Sequence, residues 1–204
     1  MVSPLEVPVL ETERLLIRPF VLTDLADTRR LFDFELNHTQ LGTDHFDTLD
    51  DRAGWLQWSV LNYVQLARLY QPPYGDRAIV LRSSGELIGS CGYVPCLCPF
   101  EQLPGFTPAV PSGQPGLFSP EFGLFYAISP GHQRQGYASE AAQAMIDYAF
   151  QSLQLKQVIA TTSYDNHASQ GVMRKLGMTL TKNPLPDPAW FQVVGVVEND
   201  RHGA

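Results

Sequence analysis

Residues 128–150 run ISPGHQRQGYASEAAQAMIDYAF, and three local signals follow one another around them. Just ahead, residues 122–128 form a short apolar run with aromatics, the composition of a buried strand, which Ser129-Pro130-Gly131 ends with turn chemistry. From Ala138 onward, Ala141, Ala142, Met145, Ala149 and Leu153 return at three- and four-residue steps, the period of one buried helix face, while Glu140, Gln143 and Asp147 fall off it. The segment therefore predicts strand, tight loop, helix. Within the loop, Gln133-x-x-Gly136-x-Ala138 places small residues where a ligand must approach the main chain, and the first helical turn offers N–H groups without intrahelical acceptors. This is the make-up of an anion cradle.

A helix N-terminus carries roughly half a positive charge and stabilises a bound phosphate by about 0.3–1 kcal/mol when exposed. A diphosphate can therefore be held with few basic side chains, and Arg134 is the only Arg or Lys in the loop. No G-x-x-x-x-G-K-[ST] is present and no G-x-G-x-x-G opens a helix, which weighs against P-loop NTPases and dinucleotide-binding doubly wound enzymes.

Gln133-Arg134-Gln135-Gly136-Tyr137-Ala138 resembles the [R/Q]-x-x-G-x-[G/A] pyrophosphate loop of the GNAT superfamily of acyl-CoA-dependent N-acetyltransferases, with Glu140-Ala141 following as they often do there. Residues 11–20, ETERLLIRPF, look like the opening strand of the branch related to the ribosomal-protein N-terminal acetyltransferases (RimJ/RimL-like), and residues 85–92, GELIGSCG, like its central hairpin. Asn166-His167-Ala168-Ser169 and Lys175-Leu176-Gly177-Met178 resemble its N-x-x-S and K-L-G-F elements. The motifs stand in the family's order and span residues 11–181. The resemblance implies an α/β (α+β) GNAT fold: a mixed central sheet of about six to seven strands with flanking helices, splayed at the central strands, in one domain over 1–204.

Composition sets the bounds. With 204 residues, 44% of them hydrophobic and 17% charged, the chain can bury one sizeable core. Its formal net charge of −7 argues against a nucleic-acid partner, since that binding draws on clustered Lys and Arg. The first residues lack a basic segment followed by an apolar stretch, and no run approaches the ~20 apolar residues of a membrane span, so a cytoplasmic enzyme is expected. Cys91, Cys96 and Cys98 lack the spacing of a zinc site, so they are read as buried or loop thiols and no metal is expected.

Taken in order, residues 11–18 predict a strand, Thr23-Asp24 an N-cap, and residues 25–34 a helix with Leu25, Leu31 and Phe32 inward. Trp55, Leu56, Val60, Leu61, Val64 and Leu69 mark a second helix, after a polar stretch holding His38 and His45. Two strands, 77–82 and 86–94, are joined by Ser83-Ser84-Gly85. Residues 95–120 hold seven prolines, which predicts a long irregular insert, either a plain surface loop, a wall of the acceptor pocket offering Phe100, Phe106 and Phe118, or a dimer contact. A strand at 157–162, a helix at 166–176 ended by Gly177, a proline-broken stretch at 179–188 and a closing strand at 190–197 complete the reading, with 198–204 as a tail.

The resemblance also implies chemistry. Acetyl-CoA is the cosubstrate, its pantetheine arm pairing with the main chain of Tyr126, Ala127 and Ile128 and its diphosphate lying on Gln133, Arg134, Gln135, Gly136, Tyr137, Ala138 and Ser139. Asn166 orients the pantetheine amide and Ser169 meets the sulfur. Glu121 is the candidate base and Ser169 the candidate proton donor; the plainer alternatives are a strand-end carboxylate and a helix-surface serine. The tyrosine that many members carry seven residues after the asparagine is Met173 here. The implied reaction is acetyl transfer to a primary amine, either a protein or peptide N-terminus or a small amino compound, and a homodimer is compatible with it. A non-catalytic acyl-CoA sensor is the alternative.

Overall fold

The computed structural model describes residues 7–37, 46–104 and 116–199. Its elements run β1 (Leu10–Glu11), β2 (Leu15–Pro19), α1 (Leu25–Thr28) continuing as a π-helix (Arg29–Glu35), α2 (Leu49–Arg68), β3 (Gly75–Leu81), β4 (Leu87–Cys98), β5 (Ser119–Ile128), α3 (Tyr137–Gln151), β6 (Gln157–Thr162), α4 (His167–Lys175), β7 (Thr179–Lys182) and β8 (Val193–Glu198). The strand order is β1-β2-β3-β4-β5-β6-β8-β7. β5 and β6 pair parallel, against antiparallel pairing of β1–β2, β2–β3, β3–β4, β6–β8 and β7–β8. The mixed α/β architecture is the one expected; the described residues form eight strands rather than six or seven because Leu10–Glu11 and Thr179–Lys182 each add a short one. The chain forms two compact units, residues up to 93 with 126–145, and 94–125 with 146 onward.

In the first unit, the strand predicted over residues 11–18 breaks in two. Thr12 turns the chain: its N–H donates to Leu15 C=O (3.0 Å) and its hydroxyl oxygen accepts Leu15 N–H (2.9 Å). A side chain that bonds the nearby backbone competes with the sheet ladder and wins here. β2 then alternates, with Leu15 and Ile17 fully buried. Asp24 is the N-cap residue of α1, as expected, but its side chain makes no capping bond to that helix. Val21 precedes a 3-10 turn, Leu22–Asp24, and the Asp24 carboxylate accepts Val21 N–H (2.9 Å) while gripping Arg18 through two bonds (2.7 and 2.8 Å). Leu31 and Phe32 are buried as read, with Leu25 packed at the edge of the same cluster.

α2 begins at Thr48, whose hydroxyl oxygen accepts Asp51 N–H (3.1 Å). Its buried face is Arg52, Leu56, Ser59 and Tyr63, steps of four, three and four. The apolar pattern read from sequence mixed two faces: Leu56 is buried, whereas Leu61, Val64 and Leu69 are exposed. An arginine inside was not legible because its partner, Asp33, lies 19 residues away. The two meet at 2.5 Å and both are buried, and the rings of Phe32, Phe46 and Trp55 surround the guanidinium at 4.5 to 5.0 Å.

Asp76 on β3 is a second buried carboxylate. Burial pushes its pKa up to about 6, against the pull of the Ser90 hydroxyl (3.3 Å) and the Arg52 charge. A folded-state pKa above the unfolded value of about 3.9 means that stability is fully present below pH ~4 and declines as pH rises through 6. Asp76→Asn is expected to raise stability at pH 7.5 by up to about 3 kcal/mol and to leave it unchanged at pH 4, measured by urea unfolding at the two pH values.

In the second unit, β4 continues through Pro95 to Cys98, so the irregular insert starts later than residue 95. The reason is burial: Cys96, Cys98, Phe100 and Leu103 pack with Ile159, Phe191 and Val194 into a core cluster. Phe100 therefore belongs to the core, stacked edge-on against Phe191 at 5.4 Å, and not to a pocket wall. Phe118 is exposed, while Phe106, His38 and His45 lie outside the described residues. The proline-broken stretch hides β7, which pairs with β8 along four residues. β8 itself starts at Val193, since Trp190 and Phe191 sit in a 3-10 turn. Cys91, Cys96 and Cys98 are free and buried, and no group of three His, Cys, Asp or Glu among the described residues could hold a metal ion. No described helix is long and apolar enough to cross a membrane.

Candidate functional site

The end of β5 is held from both sides of the turn that follows it. Ser129 N–H donates to Ile88 C=O (2.8 Å) on β4, and Gly89 lets the two strands close, because a Cβ there would stand 2.3 Å from Ala127 C=O. Ala127 and Ile128 are buried and Tyr126 is half-buried. The chain then makes a 3-10 turn, Pro130–His132, and the Gln133 side chain folds back to donate to Ile128 C=O (3.0 Å). Gln133 thus braces the loop against the strand it has just left.

Next come two left-handed residues in three, Arg134 at φ 61° and Gly136 at φ 86°. Alternating handedness turns successive N–H groups to one side, the geometry of an anion nest. The first bond at the head of α3 runs from Glu140 N–H to Gly136 C=O (3.0 Å). The N–H groups of Gly136, Tyr137, Ala138 and Ser139 therefore have no acceptor within the helix. Arg134, Gln135 and Gly136 are exposed, and Tyr137, Ala138 and Ser139 half-buried, so the cradle opens to solvent. These positions fit a diphosphate: charge comes from the helix end and the donors are main-chain groups.

Sequence reading missed one basic group at this loop. Arg14, from the turn between β1 and β2, donates to Gln135 C=O (2.9 Å) and pairs with Glu140 (2.6 Å), with its guanidinium 4.5 Å over the Tyr137 ring. It lies 121 residues from Gln135 in sequence, and no local periodicity links the two. Burial alone would raise the Glu140 pKa; the Thr12 hydroxyl, the Arg14 amide and the Arg14 guanidinium outweigh it and hold the carboxyl below its usual range.

Glu121 lies near the start of β5, half-buried, and accepts a hydrogen bond from Gln157 Nε2 (2.7 Å). The parallel register Gly123↔Ile159 explains this pairing, since both residues stand two positions earlier.

Asn166 caps α4: its side-chain oxygen accepts Ser169 N–H (3.0 Å), leaving Asn166 exposed and Ser169 half-buried on the first turn. Gly177 adopts φ 74° just past the helix, as its C′ position requires. Met173 is fully buried, and a Cβ on Gly195 would come within 3.2 Å of its sulfur, so this position belongs to the core. The Tyr164 hydroxyl donates to Asn183 C=O, which commits that phenol to a structural bond.

A braced strand end followed by an alternating-handed turn and the free end of a helix has the donors and the exposure that a phosphorylated ligand needs. Residues 14–179 match the acetyltransferase (GNAT) domain, and the chain belongs to that family. It is an acyl-CoA-dependent acyltransferase. The uncharacterised N-acetyltransferase YoaA of Bacillus subtilis is 27% identical over 171 residues, 83% of this chain and 82% of that protein. A local match of 45% over 53 residues links it to YnaD of the same organism, of which it spans 31%. Among solved structures, an acetyltransferase from Agrobacterium tumefaciens is 26% identical with a TM-score of 0.65, covering 95% of each chain. RimL, the ribosomal L7/L12 alpha-N-protein acetyltransferase in complex with coenzyme A, shares the fold at a TM-score of 0.61 and 14% identity, over 95% of this chain and 99% of that one.

Proposed function

We propose that this enzyme transfers the acetyl group of acetyl-CoA to a primary amine, a protein or peptide α-amine first and a small amino compound second, by direct attack through a tetrahedral intermediate. The observation that carries the reading is the pair of left-handed residues, Arg134 and Gly136, ahead of four helix-end N–H groups. Those donors, on Gly136 to Ser139, receive the diphosphate. The main chain of Tyr126, Ala127 and Ile128 pairs with the pantetheine arm, and an amide there polarises the thioester carbonyl. Asn166 is the candidate to orient the pantetheine amide, and Ser169 the candidate to protonate the leaving sulfur.

An α-amine barely needs a base. At pKa ~7.8 it is about 15% neutral at pH 7, whereas a lysine at ~10.4 is about 0.04% neutral, a deficit of roughly 4.6 kcal/mol. Glu121 is the candidate base, acting directly or through water, and on an α-amine acceptor it has little proton to remove before attack. Glu121→Gln is therefore expected to lower kcat on an α-amine less than about tenfold, below the usual range of base catalysis; a loss of about a thousandfold would identify Glu121 as the direct base. The reading as a whole is tested by following thiol release from acetyl-CoA with a panel of peptides and small amines. Acceptor-dependent release supports it. Tight CoA binding without release identifies the acyl-CoA sensor instead, and no CoA binding removes both readings.

A further inference from the structure

The turn between β1 and β2 makes more contacts with the head of α3 than an incidental surface pair does. The Glu140 carboxylate accepts from the Thr12 hydroxyl (2.6 Å), the Arg14 amide (2.9 Å) and Arg14 Nε (2.7 Å). The remaining arm of the same guanidinium, Nη1, donates to Gln135 C=O (2.9 Å). The turn is itself fixed by β3 and its extension, with Arg82 Nη1 donating to Thr12 C=O (2.7 Å) and Arg82 N–H to Arg14 C=O (3.0 Å). So one side chain bridges a carboxylate inside the helix and the peptide linking Gln135 to Gly136, whose N–H is one of the cradle donors. Where Gly136 would carry a Cβ, the nearest atom is Arg14 Nη2 at 3.3 Å.

This arrangement answers an electrostatic difficulty. Glu140 is the first residue to close a helical bond, so its negative charge sits within one turn of the donors proposed to hold a dianionic group, where it opposes the helix end. Arg14 neutralises it and, through Gln135 C=O, sets the tilt of the peptide plane that presents the Gly136 N–H. All three groups of the guanidinium are engaged by Glu140 and Gln135, so Arg14 acts on the ligand through the loop. We infer that Arg14 and Glu140 form a latch that positions and charge-balances the diphosphate cradle. Arg14 is a positioning residue for acetyl-CoA, and the inference rests on the reading that the cradle binds the CoA diphosphate.

An ion pair that is partly exposed, 42% on the arginine side chain and 18% on the glutamate, adds little to global stability. Its effect is therefore expected in KM for the coenzyme and not in folding. The experiment compares wild type, Arg14→Met, Glu140→Gln and the double variant on acetyl-CoA and on acetyl-pantetheine, which carries the same thioester and no diphosphate. Arg14→Met is expected to raise KM for acetyl-CoA about 10- to 30-fold with kcat changed less than about twofold, since an uncompensated carboxylate then faces the phosphates. Removing Glu140 as well is expected to recover most of that loss. On acetyl-pantetheine the KM of Arg14→Met is expected to stay close to that of wild type. An unchanged KM for acetyl-CoA in Arg14→Met overturns the latch, as does a double variant no better than Arg14→Met, or an equal loss on acetyl-pantetheine, which would signify general damage. A wild-type protein that neither binds CoA nor prefers acetyl-CoA over acetyl-pantetheine removes the underlying reading of the cradle and the latch with it.

Discussion

Gly136→Val is expected to weaken CoA binding by about 100-fold or more, close to 2.8 kcal/mol by the usual conversion, while the protein stays folded. Gly136 holds φ 86°, a region in which a side chain costs roughly 1–2 kcal/mol and in which a β-branched residue is an outlier. The loop escapes that strain by rotating the Gln135–Gly136 and Gly136–Tyr137 peptides, and those two peptides carry cradle donors. Crowding contributes less, because a Cβ meets only the flexible end of Arg14. The expected order of loss is therefore set by backbone preference: Asn, which tolerates the left-handed region, least; Ala more; Val most. Calorimetric titration with CoA measures the series. Full affinity in Gly136→Val would mean that the cradle geometry has no part in binding.

The second large effect is on stability. Arg52→Ala is expected to destabilise the fold by about 3–5 kcal/mol, the range for removing one partner of a buried ion pair. Among the described residues Asp33 would then keep Phe46 N–H (3.0 Å) and the more distant Arg29 (3.8 Å) as partners, and three aromatic rings would lose the cation they surround. Burial by itself raises the Asp33 pKa; the Arg52 hydrogen bond, the Phe46 N–H and the two arginine charges overcome it and hold the carboxyl below its ordinary value. A depressed folded-state pKa contributes stability that is present above pH ~4 and lost as pH falls through the folded value. The wild-type protein should therefore show that acid loss, and Arg52→Ala should lack it. Replacing both partners by apolar residues of similar size, Asp33→Leu with Arg52→Met, should be milder than Arg52→Ala alone, because no charge is stranded. Urea unfolding from pH 3 to pH 7 separates these outcomes; a loss under about 1 kcal/mol for Arg52→Ala would show that the pair is solvated.

How much was legible in advance depended on the distance over which each feature is decided. The strand, loop and helix around Gln133 to Ala138 were readable because each is a local matter: an apolar run, turn residues, and a 3.6-residue period that puts Ala141, Ala142, Met145 and Ala149 on one face, all four fully buried. The helix stop at Gly177 was readable for the same reason. α2 was placed correctly but its buried face was not, since both of its sides carry apolar residues and only packing selects between them. The strand at Thr179–Lys182 escaped notice among prolines because β8 supplies its partner.

By itself the sequence pointed to the family, to the strand, loop and helix around Gln133 to Ala138 and to most of the other helices and strands, and it carries Met173 where many members have a tyrosine, each reading resting on residues within a few positions of one another. Tertiary structure alone decided that Arg14 reaches Gln135 and Glu140, that Arg52 is buried on Asp33, and that Phe100 belongs to a core. The physical reason is common to all three: pairing energies between side chains depend on distance in space, and a linear pattern records only neighbours along the chain.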